Sequence, residues 1–146
     1  FGAHGANFAK TMLRLAAERD ELKVVSDQTG APTSAALIAD ITAHAVRQKL
    51  QDDRRTPDGI YHLAAGGETN WHAYACHVIE TARRAGKPIR AAADAILPIA
   101  SADYPTPARR PANSRLDTAK LKNTFGLTLP HWQLGLDHVL QQIIRG

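Results

Sequence analysis

The chain has 146 residues, the size of one ordinary domain, and its 44% hydrophobic and 22% charged content excludes a disordered polymer. Lysine and arginine number 18 against 14 acidic residues, a net charge of +4 that suits an anionic ligand. The arginine pairs Arg54-Arg55, Arg83-Arg84 and Arg109-Arg110 are scattered and aromatics make up only 5%, so base-stacking platforms for nucleic acid are not supported.

In chain order, Asn7 caps a first helix over about 8–20, with Phe8, Met12 and Leu15 at i, i+4 and i+7. Leu22 to Ser26 reads as a short strand. Asp27-Gln28-Thr29-Gly30-Ala31-Pro32-Thr33 follows as a turn punctuated by glycine and proline. Ser34 caps a second helix over about 35–50, whose expected buried stripe is Ile38, Ile41 and Ala45. Ile60 to Ala64 is a strand candidate that Gly66-Gly67 ends. Asn70 or Thr69 caps a third helix over about 71–85, with Ala75, Val78, Ile79 and Ala82 on one face and Gly86 at its C′ position.

Ile96 to Ile99 reads as a strand that Pro98 confines to an edge. Tyr104 to Arg115 holds three prolines and three arginines, a stiff loop whose guanidinium forks match phosphate. The competing reading is a rigid connector with solvated arginines. Asp117 caps a short helix over about 118–125 that Gly126 closes, and a last helix over about 131–144 carries the stripe Trp132, Leu136, Val139 and Ile143. Strands alternating with helices argue for an α/β chain that is mostly helical with a few short strands.

The chemistry-bearing residues exclude more than they assign. Cys76, the single cysteine, rules out an internal disulfide framework and points to a reducing, cytoplasmic setting. Its place within a helical pattern makes it a small core residue rather than a nucleophile. No apolar run is long enough to span a membrane. The histidines show no zinc-binding spacing, with His72 and His77 five apart, so no metal site is expected. No glycine-rich strand-to-helix turn of the dinucleotide type occurs, and neither Tyr61 nor Tyr74 is followed four positions on by lysine. The residues alone therefore assign neither a catalytic group nor a cofactor site.

Three stretches stand out: Asn7-Phe8-Ala9-Lys10-Thr11-Met12, Val25 to Thr33, and the arginine loop. Asn7 at a helix start aims backbone donors and an amide at an anion. A strand end delivering Asp27-Gln28 into a turn places an amide against a base edge. Each is also readable as an ordinary cap or turn.

In that order, together with Gly59-Ile60-Tyr61-His62-Leu63-Ala64-Ala65-Gly66-Gly67-Glu68-Thr69-Asn70-Trp71, these stretches resemble the dTDP-4-dehydrorhamnose reductases, extended short-chain dehydrogenase/reductases. The long Pro-Thr-Pro-Ala-Arg-Arg-Pro-Ala-Asn-Ser-Arg-Leu run is the specific part. The resemblance implies a C-terminal, sugar-nucleotide-binding portion running from Asn7 to the last helix, without the N-terminal Rossmann half. That family reduces a dTDP-4-keto-6-deoxyhexose to dTDP-L-rhamnose with NADPH or NADH. By the same resemblance, Asn7, Phe8, Met12, Gln28, Arg109 and Arg110 bind the dTDP-sugar, Arg110 meeting the diphosphate and Phe8 and Met12 walling the nucleotide.

No catalytic residue, cofactor or metal is expected on this portion, and alone it is expected to be inactive. Residues 34–66 are expected to pack on the missing Rossmann domain, the other implied partner. After Gly30-Ala31-Pro32-Thr33 the chain has Ser34-Ala35-Ala36, with none of the acids that bridge some relatives through magnesium, and its oligomeric state is left open. Phe1, in place of methionine, fits a piece of a longer protein. Competing readings are the substrate domain of another extended-family sugar-nucleotide reductase or epimerase, or a non-catalytic basic module whose nucleic-acid binding would depend on salt.

Overall fold

A computed structural model describes residues 1–52, 56–104 and 110–145. The helices are α1 (Phe8–Glu18), α2 (Ala35–Gln51), α3 (Trp71–Arg84), α4 (Ala119–Phe125) and α5 (Trp132–Arg145). The strands are β1 (Leu22–Val25), β2 (Thr29–Gly30), β3 (Thr69–Asn70) and β4 (Ile96–Ile99). None of the helices is long and apolar enough to cross a membrane.

Helix α3 is the centre of the core. Asn70 starts it, its side-chain oxygen accepting from the Ala73 amide at 2.8 Å. Gly86, at φ +76°, ends it where a side chain would be strained. Between them Ala75, Val78, Ile79 and Ala82 are fully buried. Ala9, Met12 and Ala16 of α1 pack in the same core, and the two alanines allow the helices a close approach. Leu136 and Leu140 of α5 add a third layer with Trp132.

β1 and β4 form a two-stranded parallel sheet, with Leu22 beside Ile96 and Val25 beside Ile99. Leu22 and Val24 face the core while Lys23 faces water, the alternation of a half-buried strand. Pro98 sits opposite Val24 without cost, because each strand of a pair has an open edge. Below the sheet Arg90 grips Asp20 through two contacts of 2.6 and 2.7 Å.

Two expectations fail here. The run from Ile60 to Ala64 forms no strand: among the described residues it has no neighbour to complete a backbone ladder. Tyr61 instead donates to the Pro57 carbonyl and packs on Phe125. The stripe of α2 is not buried either. No residue of this helix is buried, and Ile38 is 46% exposed. Its start is packed on the core side, through Ser34, which caps it and lies against Gly135, and through Leu37, which touches the core, while Lys49 near its end reaches the Thr56 carbonyl and the Asp58 carboxylate.

Candidate functional site

A cleft of about 610 Å³ opens where α1 begins, bordered by residues 28–33, the start of α3 and residues 110–114. Asn7, Phe8, Gln28 and Arg110 all line it, although three widely separated parts of the sequence supply them. Asn7, in extended conformation, accepts from the Lys10 amide at 3.1 Å and donates to the Gly2 carbonyl at 2.8 Å. Its side chain therefore both caps α1 and pins the preceding loop.

A small mixed sheet forms one border. β2 pairs antiparallel with β3, placing Thr29 beside Asn70 and Gly30 beside Thr69. On the other side of Thr29, Asn113 forms a parallel bridge, with Thr29 donating to the Ala112 carbonyl and accepting from the Ser114 amide, both at 2.8 Å. This bridge brings the Arg110 stretch to the cleft. Arg115 clasps it from outside, reaching Asn113 at 3.0 Å and the Glu68 carboxylate at 2.8 Å.

Aromatic rings make the apolar wall. Phe8 stacks on Tyr74 at 5.3 Å and tilts against Trp71 at 4.7 Å, and Phe1 lies 6.1 Å from Tyr74. All four rings line the cleft. Burial pushes the Tyr74 hydroxyl well above the usual tyrosine range, so it stays protonated in ordinary buffers. Arg110 is exposed, has no hydrogen bond or ion pair among the described residues, and shares the cleft with no carboxylate. An unpaired guanidinium beside an apolar wall fits a ligand that is aromatic at one end and anionic at the other.

At the Gln28 end, Asp27 accepts from both the hydroxyl and the amide of Ser101. These bonds hold its carboxyl below the usual aspartate range. Gln28 donates from Nε2 to Ser101 Oγ at 2.8 Å.

Met12 departs from its expected role. It is 7% exposed and belongs to the core rather than to the cleft wall. It shares a helix face with Phe8, but one turn further on that face is covered by α3. Arg109 lies outside the described residues. Sequence reading missed Trp71 and Tyr74, whose i, i+3 spacing after the Asn70 cap was the available signal. It also missed Ser101, which reaches Asp27 across 74 positions and leaves no local signature.

Cys76 is half-buried, 3.6 Å from His72, and burial raises its thiol pKa, as suits an inert side chain. Among the described residues no group of His, Cys, Asp and Glu could hold a metal ion. A smaller cleft of about 390 Å³ near α4, lined by Lys122, Asn123 and Leu127 among others, contains none of the expected site residues and no aromatic ring.

The family model described as "RmlD substrate binding domain" matches residues 1–145. The chain is 52% identical over 143 residues to the dTDP-4-dehydrorhamnose reductase of Shigella flexneri, covering 98% of this chain and 46% of that protein. To that of Burkholderia thailandensis it is 42% identical over 146 residues, covering 99% and 49%. The crystal structure of the Bacillus anthracis enzyme, in complex with NADP, superposes with a TM-score of 0.79 at 28% identity, over 97% of this chain and 45% of that one. The chain thus spans about half the length of the curated relatives it matches. With the cleft at the start of α1, the matched domain and these relatives in agreement, the chain belongs to the RmlD substrate-binding-domain family.

Proposed function

We propose that this chain is the dTDP-sugar-binding portion of a dTDP-4-dehydrorhamnose reductase, a cytoplasmic enzyme that reduces dTDP-6-deoxy-L-lyxo-4-hexulose to dTDP-L-rhamnose with NADPH or NADH. The observation that carries this reading is the convergence of Asn7, Phe8, Gln28 and Arg110 on one cleft. In it Arg110 meets the diphosphate, the α1 start offers backbone donors, and the Phe8–Trp71–Tyr74 wall takes the apolar surface of the nucleotide. Arg109, the weaker candidate, stays proposed as a second contact to the diphosphate, whereas Met12, buried in the core, takes no contact in this reading.

The described residues do not fit a nicotinamide dinucleotide. The only parallel pairing of strands among them is β1–β4, and β1 runs into Asp27 and β2 rather than into a glycine-rich turn and a helix. No hydride step is therefore assigned to these residues. The nicotinamide would be held by a Rossmann partner domain. The open face of α2, with Val46 53% and Leu50 83% exposed, together with Ile60 at 79%, is the surface proposed to receive it.

The test is calorimetric titration with dTDP, supported by the fluorescence of Trp71 in the cleft wall. Charge-assisted bonds contribute about 1.5–3 kcal/mol, so Arg110→Ala is expected to weaken dTDP roughly 10- to 150-fold. Cys76→Ala is expected to leave dTDP binding unchanged. Equal effects of the two substitutions, or DNA binding in place of dTDP binding, would overturn the reading.

A further inference from the structure

The Asp27–Ser101–Gln28 chain of hydrogen bonds determines which end of an amide the cleft is offered. Asp27 is an ionised carboxylate and can only accept. The one hydroxyl proton of Ser101 points at it, across 2.5 Å, and the Ser101 amide donates to the same carboxylate at 3.0 and 3.1 Å. Ser101 Oγ has then only lone pairs left, so its second partner must be a donor. That partner is Gln28, whose Nε2 lies 2.8 Å away. The oxygen and nitrogen of the Gln28 amide are thus told apart by chemistry, because the reverse orientation would set two acceptors against each other. No other hydrogen bond to the Gln28 side chain occurs among the described residues, and the residue lines the cleft.

We propose that Ser101, held by Asp27, is a positioning residue that anchors the Gln28 nitrogen and turns its carbonyl oxygen to the ligand, so that Gln28 selects for a hydrogen-bond donor. This rests on the nucleotide reading given above and adds to it the polarity of recognition. Two parts of a thymidine nucleotide carry such a donor: the imide N3–H of the base and the 3′-hydroxyl of the sugar. A pyrimidine with an acceptor at N3, such as cytosine, meets oxygen against lone pair and is rejected.

The experiment titrates dTDP, dUDP, dCDP and 3′-deoxy-dTDP into the full chain and into its Ser101→Ala and Ser101→Thr variants. If the base supplies the donor, dUDP binds about tenfold tighter than dCDP. If the sugar does, dTDP binds about tenfold tighter than its 3′-deoxy analogue. In Ser101→Ala the amide is free to turn, and the discriminating ratio falls to within about twofold. Ser101→Thr keeps the hydroxyl and restores the ratio. Each ratio compares two ligands on one protein, so a loss of folded material cancels. Ratios that Ser101→Ala leaves unchanged, while dTDP binding still depends on Arg110, overturn the relay and leave the nucleotide reading intact. Absence of any discrimination by the unaltered chain overturns the relay as well. Failure of the unaltered chain to bind dTDP removes both.

Discussion

Asn7 performs two jobs that substitution can separate. Its side-chain oxygen caps α1 at Lys10, and its amide nitrogen holds the Gly2 carbonyl at 2.8 Å. Asn7→Ala removes both. A lost N-cap costs about 1 kcal/mol, and a lost part-buried hydrogen bond about 1 kcal/mol more. For a chain of this size about 2 kcal/mol corresponds to a fall in Tm of roughly 4–8 °C. Asn7→Asp keeps the acceptor and adds about 0.3–1 kcal/mol with the helix dipole, but loses the donor to Gly2. Its net stability change is therefore within about 1 kcal/mol of zero. Binding follows the opposite order. Asn7→Asp puts a negative charge on the border of a cleft proposed to take a diphosphate, and is expected to weaken dTDP more than Asn7→Ala does. Thermal melts followed by circular dichroism give the first ranking, and calorimetric titration gives the second. If Asn7→Ala moves Tm by less than about 1 °C, the double role is refuted. If the aspartate variant binds dTDP at least as well as the alanine variant, the anion-facing assignment of the α1 start is refuted.

Leu136 is fully buried between α5 and the core, so Leu136→Ala should cost about 2–5 kcal/mol in urea unfolding, whereas Leu134→Ala, at a side chain 64% exposed, should change stability by less than about 0.5 kcal/mol. Gly67 has φ +75°, and a Cβ there would overlap the His131 ring. Gly67→Ala should therefore be destabilising by more than the roughly 1–2 kcal/mol of a left-handed alanine, and adding His131→Ala should recover only the part due to overlap, as a double-mutant cycle can measure. Asp27, held by Ser101, should titrate below its ordinary 3.8 by carboxyl NMR. A depressed pKa means that the folded state binds its proton less readily than the unfolded one. The stabilisation is thus complete above the ordinary value and lost as pH falls through the folded pKa. Ser101→Ala removes the hydroxyl bond but keeps the amide at position 101, so it should raise the midpoint part of the way toward 3.8 and weaken that acid-side dependence.

Helices with their own start and stop signals were legible. Asn7 and Asn70 cap where expected, and Gly86 and Gly126 take the left-handed conformation that ends α3 and α4. Periodicity did not say what would cover a face. Ile38 and Ile41 of α2 show the same spacing as the buried residues of α3, yet among the described residues α2 packs on the core only at its first turn, through Leu37. Strand propensity failed at Ile60 to Ala64 for a related reason: it describes a segment suited to a sheet and says nothing of a neighbour. β1 succeeded because β4 lay beside it. Of the cleft, Asn7, Phe8, Gln28 and Arg110 were legible and the rest of the aromatic wall was not, because Trp71 and Tyr74 lie on the helix whose apolar face also builds the core.

That shared origin explains how short strands can hold a precise site. β2 and β3 are two residues each, and the bridge at Asn113 adds a single pair, too little for independent stability. Each of these pieces is fixed at one end by something stronger. Asn70 is at once the last residue of β3 and the cap of α3, so the buried helix sets the register of Thr29 opposite it. Thr29 follows Gln28, which Ser101 holds beyond the end of β4. Thr29 in turn pairs with Ala112 and Ser114, and so carries core rigidity out to Arg110. The cleft is thus an extension of the α3 core through Asn70 and Thr29. Thr29→Pro, which removes the amide that bonds Ala112, should therefore loosen the Arg110 segment and weaken dTDP binding while leaving the Leu136 core intact. A variant that unfolded globally, or one that bound dTDP normally, would refute this chain of support.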